Sequence, residues 1–283
     1  MKTYDAHITK PFDDPYIGIQ NKLAELKVEF EQYSKVMVAL SGGVDSCLAA
    51  FLARKFLGKE NCVAVISNSE SLKQKDFEIA ADFCKNFDID YEVIYTEELS
   101  NPDYSANPTN RCYFCKTELY INLNDLVESK FRDFKIINGN NYSDLGDYRP
   151  GLSASKERNA NSPFINCQIT KDDIRSIAKY FELPVWDKPA SPCLSSRFPY
   201  GETISAEKLK RVEAAENILN EFGFEEVRVR SFGNIARIEV PTEKIPALNE
   251  KFNLIQTKLI AVGYDTCEID NEGFVSGKMN RAI

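Results

Sequence analysis

Val36 to Leu40 reads Val-Met-Val-Ala-Leu and runs without a break into Ser-Gly-Gly-Val-Asp-Ser at Ser41 to Ser46, then into a second apolar stretch from Cys47 to Leu57. A short run that is apolar on both alternating faces suits a strand covered on both sides, the situation of a parallel sheet. The two glycines mark where the chain leaves that strand and turns into a helix. The same order then recurs: CVAVIS as a strand, Leu72 to Phe87 as a helix, YEVIYT as a strand, Cys115 to Phe131 as a helix and KIING as a strand. Helix-length and strand-length segments in alternation predict an α/β fold, a doubly wound parallel sheet. An amphipathic helix over residues 17–34, with Leu23, Leu26, Phe30 and Tyr33 on one face, precedes it.

The texture changes after KIING. NNYSDLGDYRPGLSASKERNANSP has the composition of a functional loop, followed by a helix from Lys171 to Phe181. WDKPASPCLSSRFPYG, with Pro189, Pro192 and Pro199, reads as an ordered loop. From about Gly201 a smaller α+β unit is expected: a helix over Ala206 to Phe222, strands over Glu226 to Ser231 and Ala236 to Val240, a helix over Thr242 to Val262 and a last strand near Asp265 to Asp270. The domains are therefore set at 1–199 and 200–283.

With 283 residues, 43% of them hydrophobic, the chain can fill two cores. It has no apolar run of membrane-spanning length and no secretory-type N-terminal stretch, so no membrane partner and a cytoplasmic location are expected. A formal charge of −8 disfavours a long nucleic-acid footprint and leaves small anionic substrates open. The single histidine, His7, excludes a histidine-based triad and a histidine-rich zinc site. Of eight cysteines, Cys47, Cys62, Cys84, Cys167 and Cys267 sit in segments where a buried thiol is expected. Cys112, Cys115 and Cys193 stand among loop-forming residues.

Gly42 and Gly43 let backbone approach a ligand closely, and the following helix N-terminus offers unpaired N–H groups and a positive dipole end, a geometry suited to pyrophosphate. Ser41 and Ser46 add hydroxyls. The spacing is neither Walker A nor the dinucleotide fingerprint. The hexapeptide SGGVDS resembles the PP-loop signature of the ATP pyrophosphatases. That resemblance implies cleavage of ATP between the α and β phosphates, an adenylated substrate, and a nucleophile that displaces AMP. By analogy Asn68 and Ser69, at the end of the second strand, lie near the adenosine. Asp45 is assigned either to Mg2+ or to capping the following helix.

Cys112 and Cys115, in RCYFCK, admit three readings: a reversible disulfide, part of a zinc site, or two ligands of an iron–sulfur cluster. With Cys193 they supply three thiolates, enough for three irons of a 4Fe-4S cluster. SGGVDS, DYRPG at Asp147 to Gly151, SSRFPYG at Ser195 to Gly201, VRVR at Val227 to Arg230, IARIE at Ile235 to Glu239 and GFVSGKMN together resemble the LarE family of PP-loop sulfur transferases. These act in nickel-pincer nucleotide biosynthesis, which serves lactate racemase maturation. One form of that family sacrifices a cysteine of the PCLSSR-type loop; the other adds a Cys-x-x-Cys pair and uses a cluster. This chain has both features and so resembles the cluster form.

The resemblance implies a pyridinium-3,5-biscarboxylic acid mononucleotide as substrate, a sulfide source and a homo-oligomer. Arg228 and Arg230, two apart on a strand, leave the same face and suit a phosphate. Arg197 is assigned to the ATP phosphate or to charge developing at the acyl carbon. Arg149 and Asp147 are candidates for closing the site, whereas packing and solvated charge account for Trp186 and Lys188. Two rival readings are a cluster-dependent tRNA thiolase and a non-catalytic iron–sulfur carrier.

Overall fold

The computed structural model describes residues 17–146, 149–275, 277–278 and 281. His7, Asp147 and part of the GFVSGKMN segment lie outside the described residues. In chain order the elements are α1 (Ile17–Glu31), β1 (Val36–Leu40), α2 (Val44–Leu57), β2 (Cys62–Asn68), α3 (Gln74–Asn86), β3 (Tyr91–Tyr95), α4 (Pro102–Ser105) and α5 (Arg111–Ser129). They continue with β4 (Lys135–Ile137), α6 (Pro150–Glu157), α7 (Pro163–Asn166), α8 (Lys171–Tyr180), α9 (Ala206–Glu221), β5 (Arg228–Phe232), β6 (Ile235–Glu239), α10 (Ile245–Ala261) and β7 (Thr266–Ile269).

The chain divides into two compact units. The first holds residues 17–68, 74–96 and 112–191, and the second holds 69–73, 97–111 and the chain from 192 onward. In the first unit β3, β2, β1 and β4 form, in that order, a sheet whose pairs are all parallel. Both faces of β1 are covered, as its unbroken apolar run requires. Val36, Val38 and Leu40 join a core with α1, α2, α3 and α8, while Met37 packs with Val63, Val65 and, from α5, Leu119 and Leu123. Ala49, Ala50 and Ala53 are all buried in α2, and their small side chains let that helix lie close to the strands. This is the α/β class that the alternation predicts.

In the second unit β5 pairs antiparallel with β6, and β6 pairs parallel with β7. Val229, Ala236, Ile238 and Cys267 form a core with Ala215 and Leu219 of α9 and Leu248, Ile255 and Leu259 of α10. Leu194 and Phe198, beside Cys193, pack with Ile204, Leu209 and Val212, and Leu99 lies against them. The element boundaries expected here differ from those observed by a few residues at most.

Two expectations need correction. The helix expected from Cys115 starts four residues earlier: α5 begins at Arg111, so Cys112 is helical too and the pair lies in the first two turns. The polar segment after KIING is not a continuous loop either. It holds a 3-10 turn, Tyr142–Gly146, and α6, which starts at Pro150, where a fixed φ and a missing N–H cost a helix nothing.

Candidate active site

The chain runs from β1 outward through β2 to β3, whereas β4 pairs on the other side of β1, so the order reverses between β1 and β4. Loops at the carboxyl ends of strands beside such a reversal form the ligand crevice of open α/β sheets. Here those loops are Ser41–Gly43 after β1 and Asn138–Asn141 after β4. They touch: a Cβ on Gly139 would stand 2.6 Å from the Ser46 backbone nitrogen, so only glycine lets β4 approach the start of α2.

Gly42 has φ of +72°, a left-handed conformation, and a Cβ there would come within 2.5 Å of the Asp76 carbonyl oxygen. The loop is braced internally. The Ser41 N–H donates to Ser46 Oγ at 3.1 Å, the two hydroxyls lie 3.1 Å apart, and Ser46 Oγ donates to the Gly43 carbonyl at 3.1 Å. Gly43 is the N-cap of α2 and makes no side-chain cap, leaving the first amides of the helix to a ligand.

Asp45 does not cap α2. Its carboxylate is held by the Lys171 ammonium and by Asn141 Nδ2, the latter at 3.1 Å. Lys171 opens α8 behind a complete capping box made by Thr170 and Asp173. Asn141 is itself fixed, its N–H donating to Asp144 Oδ2 at 2.9 Å, and Asp144 pairs with Arg149 at 2.8 Å. Arg149 is thereby linked to the glycine loop through three neighbours.

Lys188, which the sequence leaves as a solvated charge, donates from Nζ to the Gly42 carbonyl at 2.7 Å and to Asp76 Oδ1 at 2.8 Å. Ser191 Oγ donates to the other Asp76 oxygen at 2.6 Å. Lys188, Asp76, Lys171, Asn141 and Gly139 are the site residues that sequence reasoning misses. The one available signal is the pair of prolines at Pro189 and Pro192, which fix the backbone around Ser191. Asn68 ends β2 in this unit, whereas Ser69 belongs to the second unit and shares a hydrogen bond of 3.1 Å with Ser71.

In the second unit Cys193 precedes a 3-10 turn, Leu194–Arg197. The Arg197 side chain is fully buried and reaches the loop itself: Nε and Nη2 donate to Glu216 at 2.7 and 3.1 Å, and Nη1 donates to the Pro192 carbonyl at 2.9 Å. Lys73 meets the same Glu216 at 2.6 Å. Burial alone would raise the Glu216 carboxyl, but Arg197 and Lys73 hold it down at about 2. Burial lowers Lys73 even though Glu216 pulls it the other way.

Arg228 and Arg230 are 5% and 6% exposed, so the pair is not a solvated strand face. Arg230 forms an ion pair with Glu239 at 2.8 Å and donates to the Ser196 carbonyl at 2.9 Å. Arg228 lies over the Phe274 ring at 5.0 Å and donates to the Val227 carbonyl. Burial above all, and then the neighbouring Arg197, bring it down to about 10, with Glu216 pulling the other way.

The cysteines separate into two groups. Burial pushes Cys62 and Cys84 up to about 12 and Cys167 and Cys267 up to about 11, and raises Cys47 further still. Such thiols are poor nucleophiles and poor ligands. Cys112 is exposed and Cys115 and Cys193 are half-buried, as is Cys167, against the expectation of a buried thiol there. The first two are neighbours on one face of α5 in the first unit, while Cys193 belongs to the second unit. Among the described residues no three His, Cys, Asp or Glu side chains gather to hold a metal ion.

A parallel sheet with a Gly-Gly loop and an uncapped helix N-terminus at its reversal point defines an ATP-using enzyme of the PP-loop class. Comparison with known proteins agrees. The NAD synthase family model matches residues 18–107. A pyridinium-3,5-bisthiocarboxylic acid mononucleotide synthase of Lactiplantibacillus plantarum is 34% identical over 94% of this chain and 96% of its own length. An uncharacterised protein of Synechocystis is 44% identical over 94% of this chain and 99% of its own length. The chain belongs to the LarE family of PP-loop sulfur transferases. It is an enzyme that spends ATP to adenylate its substrate, with AMP and pyrophosphate as products, and transfers sulfur to it.

Proposed function

We propose that this enzyme adenylates a carboxylate of pyridinium-3,5-biscarboxylic acid mononucleotide and converts it to a thiocarboxylate. The observation that carries the reading is the near full-length identity to the Lactiplantibacillus plantarum synthase. The braced glycine loop supports it from the side of ATP.

The free amides at the start of α2 receive the β and γ phosphates. A substrate carboxylate oxygen attacks the α-phosphorus, and the bond to the bridging oxygen breaks as pyrophosphate leaves. A sulfur nucleophile then attacks the acyl carbon, and AMP departs with the C–O electron pair. A second round on the other carboxylate gives the dithio product. Asp45 suits Mg2+ as a single carboxylate ligand beside the phosphates, once Lys171 gives way. The ion supplies charge neutralisation for the leaving pyrophosphate. Arg228 and Arg230 bind the phosphate of the mononucleotide, their positions two apart on β5 supporting that role. Arg197 acts by holding the Cys193 loop.

For sulfur delivery, Cys112, Cys115 and Cys193 are proposed as ligands of a 4Fe-4S cluster, supported by their standing apart from the four buried thiols, Cys47, Cys62, Cys84 and Cys267. Cys112 and Cys115 belong to the first unit and Cys193 to the second. The adenylation half stands without the cluster. A cytoplasmic homo-oligomer completes the proposal. No helix among the described residues is long and apolar enough to cross a membrane.

The test is an anaerobic assay with ATP, Mg2+, the biscarboxylate mononucleotide and sulfide, followed by mass spectrometry. Substrate-dependent release of AMP and pyrophosphate, with oxygen-for-sulfur exchange in the mononucleotide, is expected; pyrophosphate release indifferent to the mononucleotide would sink the reading. Iron analysis should find about four irons per chain, lost on substituting any of the three cysteines by alanine.

A further inference from the structure

Lys188 and Asp76 form an ion pair that is almost out of water, their side chains 16% and 9% exposed. Such a pair contributes little net stability, because desolvation offsets attraction, so its use is sought in what it positions. The lysine donates to the carbonyl of Gly42, the left-handed residue of the phosphate loop. In a trans peptide the C=O and the following N–H point in opposite directions. Fixing the Gly42 carbonyl on Lys188 therefore turns the Gly43 N–H to the other side, where α2 begins at the next residue. Asp76 holds the lysine, and Ser191, two residues before Cys193 in the chain, holds Asp76.

We propose that Lys188 is a positioning residue: it fixes the Gly42–Gly43 peptide in its anion-receiving orientation before ATP arrives, and Asp76 keeps its ammonium off the phosphates. The inference rests on the nucleotide reading above and deepens it. Because the loop is set in advance, ATP binding does not bear the cost of flipping the peptide.

The test is calorimetric titration of the full chain with inorganic pyrophosphate, ATP and AMP, for wild type, Lys188→Met, Lys188→Arg and Asp76→Asn. A hydrogen bond from a charged donor is worth about tenfold or more in binding. Lys188→Met should weaken pyrophosphate and ATP by about that factor and leave AMP within roughly twofold, whereas Lys188→Arg, which still donates to a carbonyl, should restore most of the loss. Asp76→Asn gives the decisive sign. A lysine that holds the loop only when itself held predicts weaker pyrophosphate binding in this variant. A lysine that contacts phosphate directly predicts tighter binding once its counter-charge is gone, which overturns the proposal. Unchanged pyrophosphate affinity in Lys188→Met, or in Asp76→Asn where the methionine variant does not fold, also overturns it. A wild-type protein that binds neither ATP nor pyrophosphate overturns the nucleotide reading itself, which separates the two failures.

Discussion

Glu216 is a buried carboxylate of the second unit on which two cationic side chains converge. It balances Arg197 and Lys73, and its second role is to accept the Val229 N–H at 3.1 Å, which ties the Cys193 loop to β5. Its carboxyl ordinarily titrates at 4.5 and is held at about 2, so the stability it contributes is fully present above pH 4.5 and is lost as pH falls toward 2. Glu216→Gln takes the counter-charge from the buried Arg197 and the half-buried Lys73 and should cost about 3–5 kcal/mol at neutral pH. Urea melts over a series of pH values check both points: the variant should be weaker at neutral pH and lose less on acidification between 4.5 and 2 than the wild type. Nothing in the sequence marks Glu216, because a glutamate in the pattern of α9 is indistinguishable from its solvated neighbours. Lys188 and Lys171 were equally illegible. Their partners Asp76 and Asp45 lie 112 and 126 positions away in the chain, and a lysine reads as solvent-facing until a fold brings its partner near.

Among the elements, the parallel strands were the most legible. A strand covered on both faces must be apolar where it is covered, and Val36–Leu40 and the first five residues of Cys62–Asn68 carry that requirement in their composition. The start of α5 was missed because Asn-Pro-Thr-Asn before it reads as a turn, although Arg111 already closes a turn onto the Pro108 carbonyl at 3.0 Å. The correction matters for the cysteine pair, since a helix spaces Cys112 and Cys115 as fixed neighbours. At the other end of the same logic stands α8. Its capping box satisfies amides that would otherwise be orphaned, and its first residue, Lys171, is the one that holds Asp45. Thr170→Ala should therefore cost about 1 kcal/mol, visible as a lower melting temperature. A change in ATP affinity should accompany it, because the cap sets where Lys171 begins.

At the scale of the whole molecule, the second unit is assembled from three separated stretches. Residues 69–73 and 97–111 pack with the chain that begins at 192: the Leu194 N–H donates to the Ser71 carbonyl at 2.8 Å, and the Tyr104 hydroxyl meets Ser195 Oγ at 2.6 Å. No periodicity announces this, because short polar segments that pack with distant chain carry no pattern of their own. A fragment restricted to residues 200–283 lacks Leu194, Phe198 and Leu99, which close the core over Leu209 and Val212. It should bind a hydrophobic dye and melt without a sharp transition, whereas the full chain should not bind the dye before melting.

The same interleaving sets an order of events on the ribosome. The segments ending at residue 111 leave the exit tunnel roughly eighty residues ahead of the chain from 192 onward with which they must pack. At about 5–20 residues per second the delay is on the order of ten seconds. Throughout that interval the contacts of Tyr104 with Ser195 and of Leu99 with the Leu194 cluster have yet to form, so this part of the second unit is completed only after the chain from 192 has emerged.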